Sequence, residues 1–208
     1  IAKENFAKIS ETFKKQNVPD DATFNALKAK GDKHKSETLV FKGFYLGMPI
    51  EDAALVVNYY SREEPCQLVR RKDGSSYIGS GTIYVLSDKQ GQVTKFKFCK
   101  EILHKMFDSE RMPHQEFLQT FIKAYDVPSL SPVIVEWKPL GQIVGSQTVY
   151  THQSDKGYYL KFFDAKEIYD REGALSANLA GYGIRKYGGD DDGVMLLETA
   201  TERQSAFD

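Results

Sequence analysis

The feature that most constrains this chain is an internal echo: Gly79-Ser80-Gly81-Thr82-Ile83-Tyr84 returns as Gly145-Ser146-Gln147-Thr148-Val149-Tyr150, 66 residues later. At that offset Gly91 meets Gly157, Lys95 meets Lys161 and Phe96 meets Phe162. Seven of the eighteen positions from 79 to 96 are therefore identical, where chance gives about one. A helix signal precedes each copy. Met48-Pro49 leads into Glu51 and Asp52, and Met112-Pro113 into Gln115 and Glu116, at an offset of 64. The two-residue difference falls in a loop, where added length costs little closure entropy. Proline at the first helical position needs no amide, and acidic residues there complement the helix dipole. The first helix would bury Ile50, Ala53, Ala54 and Val57. The second would bury Phe117, Phe121 and Tyr125, with Leu118 and Ile122 widening the stripe.

After each helix the period becomes two. Residues 39–45, 66–71, 77–87 and 92–99 read as strands of the first copy, with turns at Asp73-Gly74 and Lys89-Gln90-Gly91. Residues 132–138, 145–153 and 157–163 repeat the pattern, with a turn near Ser154 to Gly157. In Lys95-Phe96-Lys97-Phe98 the phenylalanines would face a helix layer and the lysines the other side. Upstream, Phe6, Ile9 and Phe13 share a helical stripe, and Asp20 or Asp21 would cap a second short helix carrying Phe24 and Leu27. The polar run Gly31 to Glu37 reads as a linker. The expected fold is α+β: a tandem duplication of a helix plus a three- to four-stranded antiparallel meander, behind an N-terminal helical segment. This divides the chain into a segment 1–37, repeats 38–108 and 109–172, and an extension 173–208 that carries an acidic loop.

Composition narrows the function classes. Hydrophobic residues at 41% and charged residues at 27% describe a chain that folds, and a net charge of −1 gives no global field toward nucleic acid or an anionic membrane. Charge is uneven: residues 1 to 36 carry eight lysines against five acids, and the stretch from Gly188 carries six acids against Arg203. Attraction between these ends would be a weak, screened tether. No apolar run is long enough to span a bilayer. The chain begins at Ile1 rather than Met, which reads as loss of an upstream segment such as a signal peptide, leaving open a tether through that end. Cys66 and Cys99 lack metal-site or redox spacing; they read as small buried residues, the alternative being a disulfide formed in an oxidising compartment.

The stretch Leu46-Gly47-Met48-Pro49-Ile50-Glu51-Asp52-Ala53, with strands ending in Lys95-Phe96 and Lys161-Phe162, resembles a known group. It is similar to the tandem fold of the beta-lactamase inhibitor protein and the small lipoproteins of the outer-membrane barrel-assembly machine, across residues 38–164 at most. Arg111 stands where the first copy has Gly47, so the second turn departs from the pattern. The resemblance implies a non-enzymatic protein of the periplasm, cell envelope or secreted space that binds another protein through its sheet and loops. It implies no cofactor.

Catalytic motifs fail on spacing: there is no GxSxG, GxxxxGK[ST] or HExxH. Gly79 and Gly145 precede serines within strands, which reads as a bulge or a close backbone approach. The histidines at 34, 104, 114 and 152 include no pair at metal-ligand spacing. His114 with Glu116 remains as a metal or acid–base alternative. The run Gly188 to Gly193, with Asp190, Asp191 and Asp192, invites a calcium reading, but its register places Gly188 and Thr199 where an EF-hand needs carboxylates. Two principal readings emerge. One is a protein-binding module using Tyr84, Trp137, Tyr150 and Tyr158 on the face away from the helices; its rival has that face buried by a second sheet or the N-terminal helices. The other is a metal-dependent enzyme or cation binder using His114, Glu116 and the Asp190 to Asp192 loop. A sensory or scaffold domain of a larger secreted protein is a third.

Overall fold

The computed structural model describes residues 18–62, 65–128, 130–137, 145–168 and 195–200. The Phe6, Ile9, Phe13 stripe and the Asp190 to Asp192 run lie outside them. Asp20 opens α1 (Asp21–Asp32) by accepting a hydrogen bond from the Thr23 amide at 2.7 Å. Phe24 is buried and stacks on Tyr59 at 3.7 Å. The polar run after it is a packed turn rather than a slack linker. Gly31 is buried against the Tyr45 ring, with 3.3 Å to the place a Cβ would occupy, and His34 stacks on the same ring. The stretch expected as a single strand at 39–45 folds back on itself as β1 (Val40–Phe41) and β2 (Phe44–Tyr45). Lys42 and Gly43 both take positive φ, the conformation of a tight two-residue hairpin.

From Pro49 the chain enters α2 (Ile50–Tyr60), and from Pro113 it enters α4 (His114–Ala124), each eleven residues long. Both prolines sit one position earlier than expected, at the N-cap with extended ψ of 137° and 143°. Their carbonyls accept the first intrahelical bonds, from Ala53 and Phe117. α2 buries Ile50, Ala53, Ala54 and Val57, and α4 buries Phe117, Leu118 and Phe121, while Ile122 is half-buried and Tyr125, also half-buried, is the C-cap rather than a helical residue. Asn58 is buried within α2 and spends its Oδ1 on the Cys66 amide at 2.7 Å, which holds the approach to the sheet against the helix. Cys66 is buried as expected, Cys99 is only half-buried, and no disulfide joins them; burial pushes the Cys66 thiol up to about 12.

The remaining strands among the described residues form one eight-stranded antiparallel sheet. Strands β3 (Gln67–Arg70), β4 (Ser76–Gly79), β5 (Ile83–Ser87) and β6 (Val93–Phe98) follow α2. The short α3 (Lys100–Met106) leads to α4, which precedes β7 (Ser131–Trp137), β8 (Gly145–Gln153) and β9 (Tyr158–Ile168). Between β6 and β9 lies β10 (Met195–Thr199), giving the order β3-β4-β5-β6-β10-β9-β8-β7. The C-terminal region thus supplies the strand that joins the two meanders into one sheet. Its Met195 and Leu197 are fully buried beside Phe98, Phe96, Phe162 and Leu160 of the flanking strands. Phe96 and Phe98 face the helices, as their alternation with lysine requires, and meet Phe44 with centroids at 5.4 and 5.1 Å. Phe121 of α4 meets Phe162 of β9 at 5.3 Å.

The hairpins at 87–93 and 153–159 share their backbone bonds at the 66-residue offset. The Asp88 amide donates to the Gln92 carbonyl at 2.9 Å, and the Ser154 amide to the Tyr158 carbonyl at 2.8 Å. Gly91 donates to the Asp88 carbonyl and Gly157 to the Ser154 carbonyl, with φ of 77° and 82°. Asp88 Oδ1 accepts from the Gln90 amide, and Ser154 Oγ from the Lys156 amide, so the substitution of serine for aspartate keeps the turn's side-chain acceptor. The strands then diverge. The first meander has its register shift between Leu86 and Ser87, the second between Gln147 and Val149.

Candidate binding surface

On the sheet face away from the helices, cross-strand register aligns Gly79, Tyr84 and Lys97 in one row and Tyr77, Leu86 and Lys95 in the next. Tyr77 and Tyr84 stack at 6.1 Å. The Arg71 guanidinium lies 5.0 Å from the Tyr77 ring centre and donates to the Tyr84 hydroxyl at 3.4 Å. This half-buried aromatic and cationic stripe matches the expected placement of Tyr84, but its expected companions do not join it. Tyr158 is buried, in register with Thr199 and beside the core. Tyr150 pairs with Phe162, whose ring packs on α4, so it belongs to the helix side. The Trp137 side chain lies outside the described parts of the structure.

A broad surface patch of the four residues is therefore not what the fold builds. Tyr84 and Tyr150 are equivalents in sequence, yet the different positions of the two bulges put them on opposite faces. One residue of slip exchanges every side chain between faces.

The strongest surface anomaly is at the sheet's edge. Among the described residues β7 ends the strand order, and Val133, Ile134 and Val135 are 49%, 70% and 41% exposed. Edge strands ordinarily carry charge, bulges or cover that discourage added strands. Here Glu136 is the one charged residue of the strand, and Pro132 blunts only its start. The opposite edge, β3, has four residues and includes Arg70, which pairs with Glu51 of α2 at 2.7 Å. The apolar run at 133–135, lacking alternation in the outermost strand of a meander, was the sequence signal for this site.

Two of the four histidines, His104 and His114, meet across helices. His104, buried in α3, has its Nδ1 2.8 Å from the Ser109 carbonyl and its Nε2 3.2 Å from His114 Nδ1. With His104 Nδ1–H donating to that carbonyl, its Nε2 accepts the His114 Nδ1–H. Among the described residues His114 Nε2 is buried without a hydrogen-bond partner. Burial, then the neighbouring His104 and Lys100, hold His114 below the usual imidazole range, against a smaller upward pull from Asp164. Glu116 is exposed in the first turn of α4. Among the described residues no three His, Cys, Asp or Glu side chains converge as metal ligands.

A His that resists protonation in the fold contributes stability that is complete above its unfolded pKa, near 6.5, and is lost as the pH falls below it. The thermal midpoint should therefore drop between neutral pH and about pH 5, with a shallower drop in His114→Gln. Parallel midpoint curves for the two proteins would remove His114 as the cause.

A cleft of about 860 Å³ opens between the matched hairpins, lined by groups of both signs including His34, Glu37, Arg71, Asp73, Lys89 and Lys156. On its wall His34 Nδ1 lies 3.1 Å from Glu37 Oε2. No helix among the described residues is long and apolar enough to cross a membrane. No family model, curated protein or solved structure matches the chain.

Proposed function

We propose that this chain is a non-enzymatic protein-binding module whose main recognition element is β7, which accepts an extended segment of a partner polypeptide as a further antiparallel strand. The exposed Val133-Ile134-Val135 run on an edge strand carries the reading. An added strand satisfies the outward-facing amides and carbonyls of β7 and covers apolar side chains that water now wets. The preferred partner segment is uncharged and β-branched, because β7 offers only Glu136 as a charge. Tyr84 and its Arg71-buttressed stripe supply a second, flatter contact area on the same sheet.

The matched hairpin bonds and the twin proline-led helices support descent from one copied unit, with β10 closing the seam. A tandem unit of this kind also suits the resemblance to inhibitor and envelope proteins, and on it rests the further part of the proposal, a role in the periplasm, the envelope or outside the cell.

A random peptide library displayed on phage tests the binding mode. Extended apolar peptides should be enriched, and Ile134→Lys should weaken their binding about tenfold or more, whereas Gln67→Lys on the opposite edge should leave it unchanged. Enriched peptides that depend on Tyr84 and not on Ile134 would move the site to the sheet face; no enrichment at all would end the strand-accepting role.

A further inference from the structure

We infer that β7 pairs with β7 of a second copy of this chain, closing an antiparallel dimer about a two-fold axis at Ile134. The inference rests on the strand-accepting role proposed for β7 and names one partner for it. Ile134 is the middle residue of Ser131–Trp137 and the most exposed of its apolar run. A two-fold axis there sets Ile134 against itself, Val133 against Val135 of the second copy, and Pro132 against Glu136. Apolar groups meet apolar groups without help from another sequence, which is the self-complementarity that an isologous contact requires.

Charge permits the same arrangement. The two Glu136 carboxylates would lie four residues apart along the strands, about 14 Å, beyond the screening length of about 8 Å at physiological salt. Head-to-tail growth through β3 is the competing geometry, and it is disfavoured. That edge is only four residues long, its apolar Leu68 and Val69 are half-buried, and its exposed Arg70 is paired with Glu51. Pairing of one closed edge therefore stops at two copies rather than continuing into a fibre.

A single strand-to-strand contact buries less than the area of about 1,200–2,000 Å² typical of stable complexes, so a dissociation constant on the order of micromolar is expected. Self-pairing would also hide β7, so a partner strand would compete with the second copy.

Sedimentation velocity of the whole chain, from micromolar to near-millimolar concentration, tests this. A reversible monomer–dimer equilibrium is expected. Ile134→Lys and Val135→Lys should abolish it and Gln67→Lys should not, with circular dichroism and thermal midpoint of each variant confirming that it folds. In a Cys99→Ser background, Ile134→Cys should cross-link to its own copy under mild oxidation and Val133→Cys should not, since only the axial residue faces itself. A monomer at every concentration, a dimer indifferent to Ile134→Lys, or growth abolished by Gln67→Lys would overturn the inference. If such a monomer still bound selected peptides through Ile134, self-pairing alone would have failed. Loss of both behaviours would sink the strand-accepting role itself.

Discussion

Replacing Phe98 by alanine should cost about 3–5 kcal/mol of folding stability, the range for removing a buried phenylalanine from a packed core. Phe98 is fully buried in β6 and touches Phe41, Phe44 and Phe96 with centroids at 5.3, 5.1 and 5.7 Å. Those neighbours come from separate elements, the β1–β2 hairpin and β6 itself. Strands β5 and β10 hold β6 on both sides, through Ile83 and Met195 opposite Phe98. A void here cannot close by sliding one helix inward, so the cost should fall at the upper end of the range. A domain of this size loses roughly 2–4 °C of thermal midpoint per kcal/mol, so a fall on the order of 10 °C is expected. Equilibrium urea unfolding checks the free energy directly. An exposed control, Glu116→Ala, should change it by less than about 0.5 kcal/mol. A loss below about 1 kcal/mol for Phe98→Ala would mean that this aromatic cluster is not the packed centre described.

What could be read in the sequence was what short-range chemistry decides. Asp20 caps its helix because its carboxylate reaches the Thr23 amide three residues on, and both helix stripes bury the side chains their spacing puts on one face. The hairpin glycines at 91 and 157 were equally visible, since positive φ in a tight turn selects glycine. The β1–β2 hairpin was missed although Gly43 marked it: a glycine within an apolar run signals a reversal as readily as a bulge.

Tyr150 lies on the face opposite to the expected one because face parity along β8 depends on where a bulge falls, and nothing in the residues from 145 to 153 announces that place. The His104–His114 contact was hidden for another reason. Ten residues separate the pair, on two different helices, so only the packing of α3 against α4 brings their rings together. The edge strand was read as a strand, but whether any strand lies at an edge is a property of the whole sheet order.

That order depends most on β10, and Leu197→Asp should therefore be the most damaging single substitution in the sheet. Leu197 is fully buried and lies in register between Phe96 of β6 and Leu160 of β9, so it stands where the two meanders meet. The substitution removes an apolar side chain worth about 2–5 kcal/mol and places a carboxylate among phenylalanines. The lysines of β6 and β9 nearest to it, Lys95, Lys97 and Lys161, align with Glu198 and Leu196 on the other face. Burial would raise the new carboxyl's pKa in the fold above its unfolded value of about 3.9. The sign follows from linkage. An acid that the fold prefers neutral costs nothing extra below its unfolded pKa, and the penalty grows as the pH rises through the interval between the unfolded and folded values. Leu197→Asp should thus be less unstable near pH 4 than at pH 7, while Leu197→Asn, matched in size and without a charge, should show the lost packing at both. Urea unfolding of the two variants across that range separates cavity from charge. Near pH 7 the aspartate variant should also unfold without a single cooperative transition, since both ladders that bind the meanders together run through this strand. Identical, pH-independent losses for Asp and Asn would show that β10 yields to water at position 197 and that the seam is looser than its burial implies.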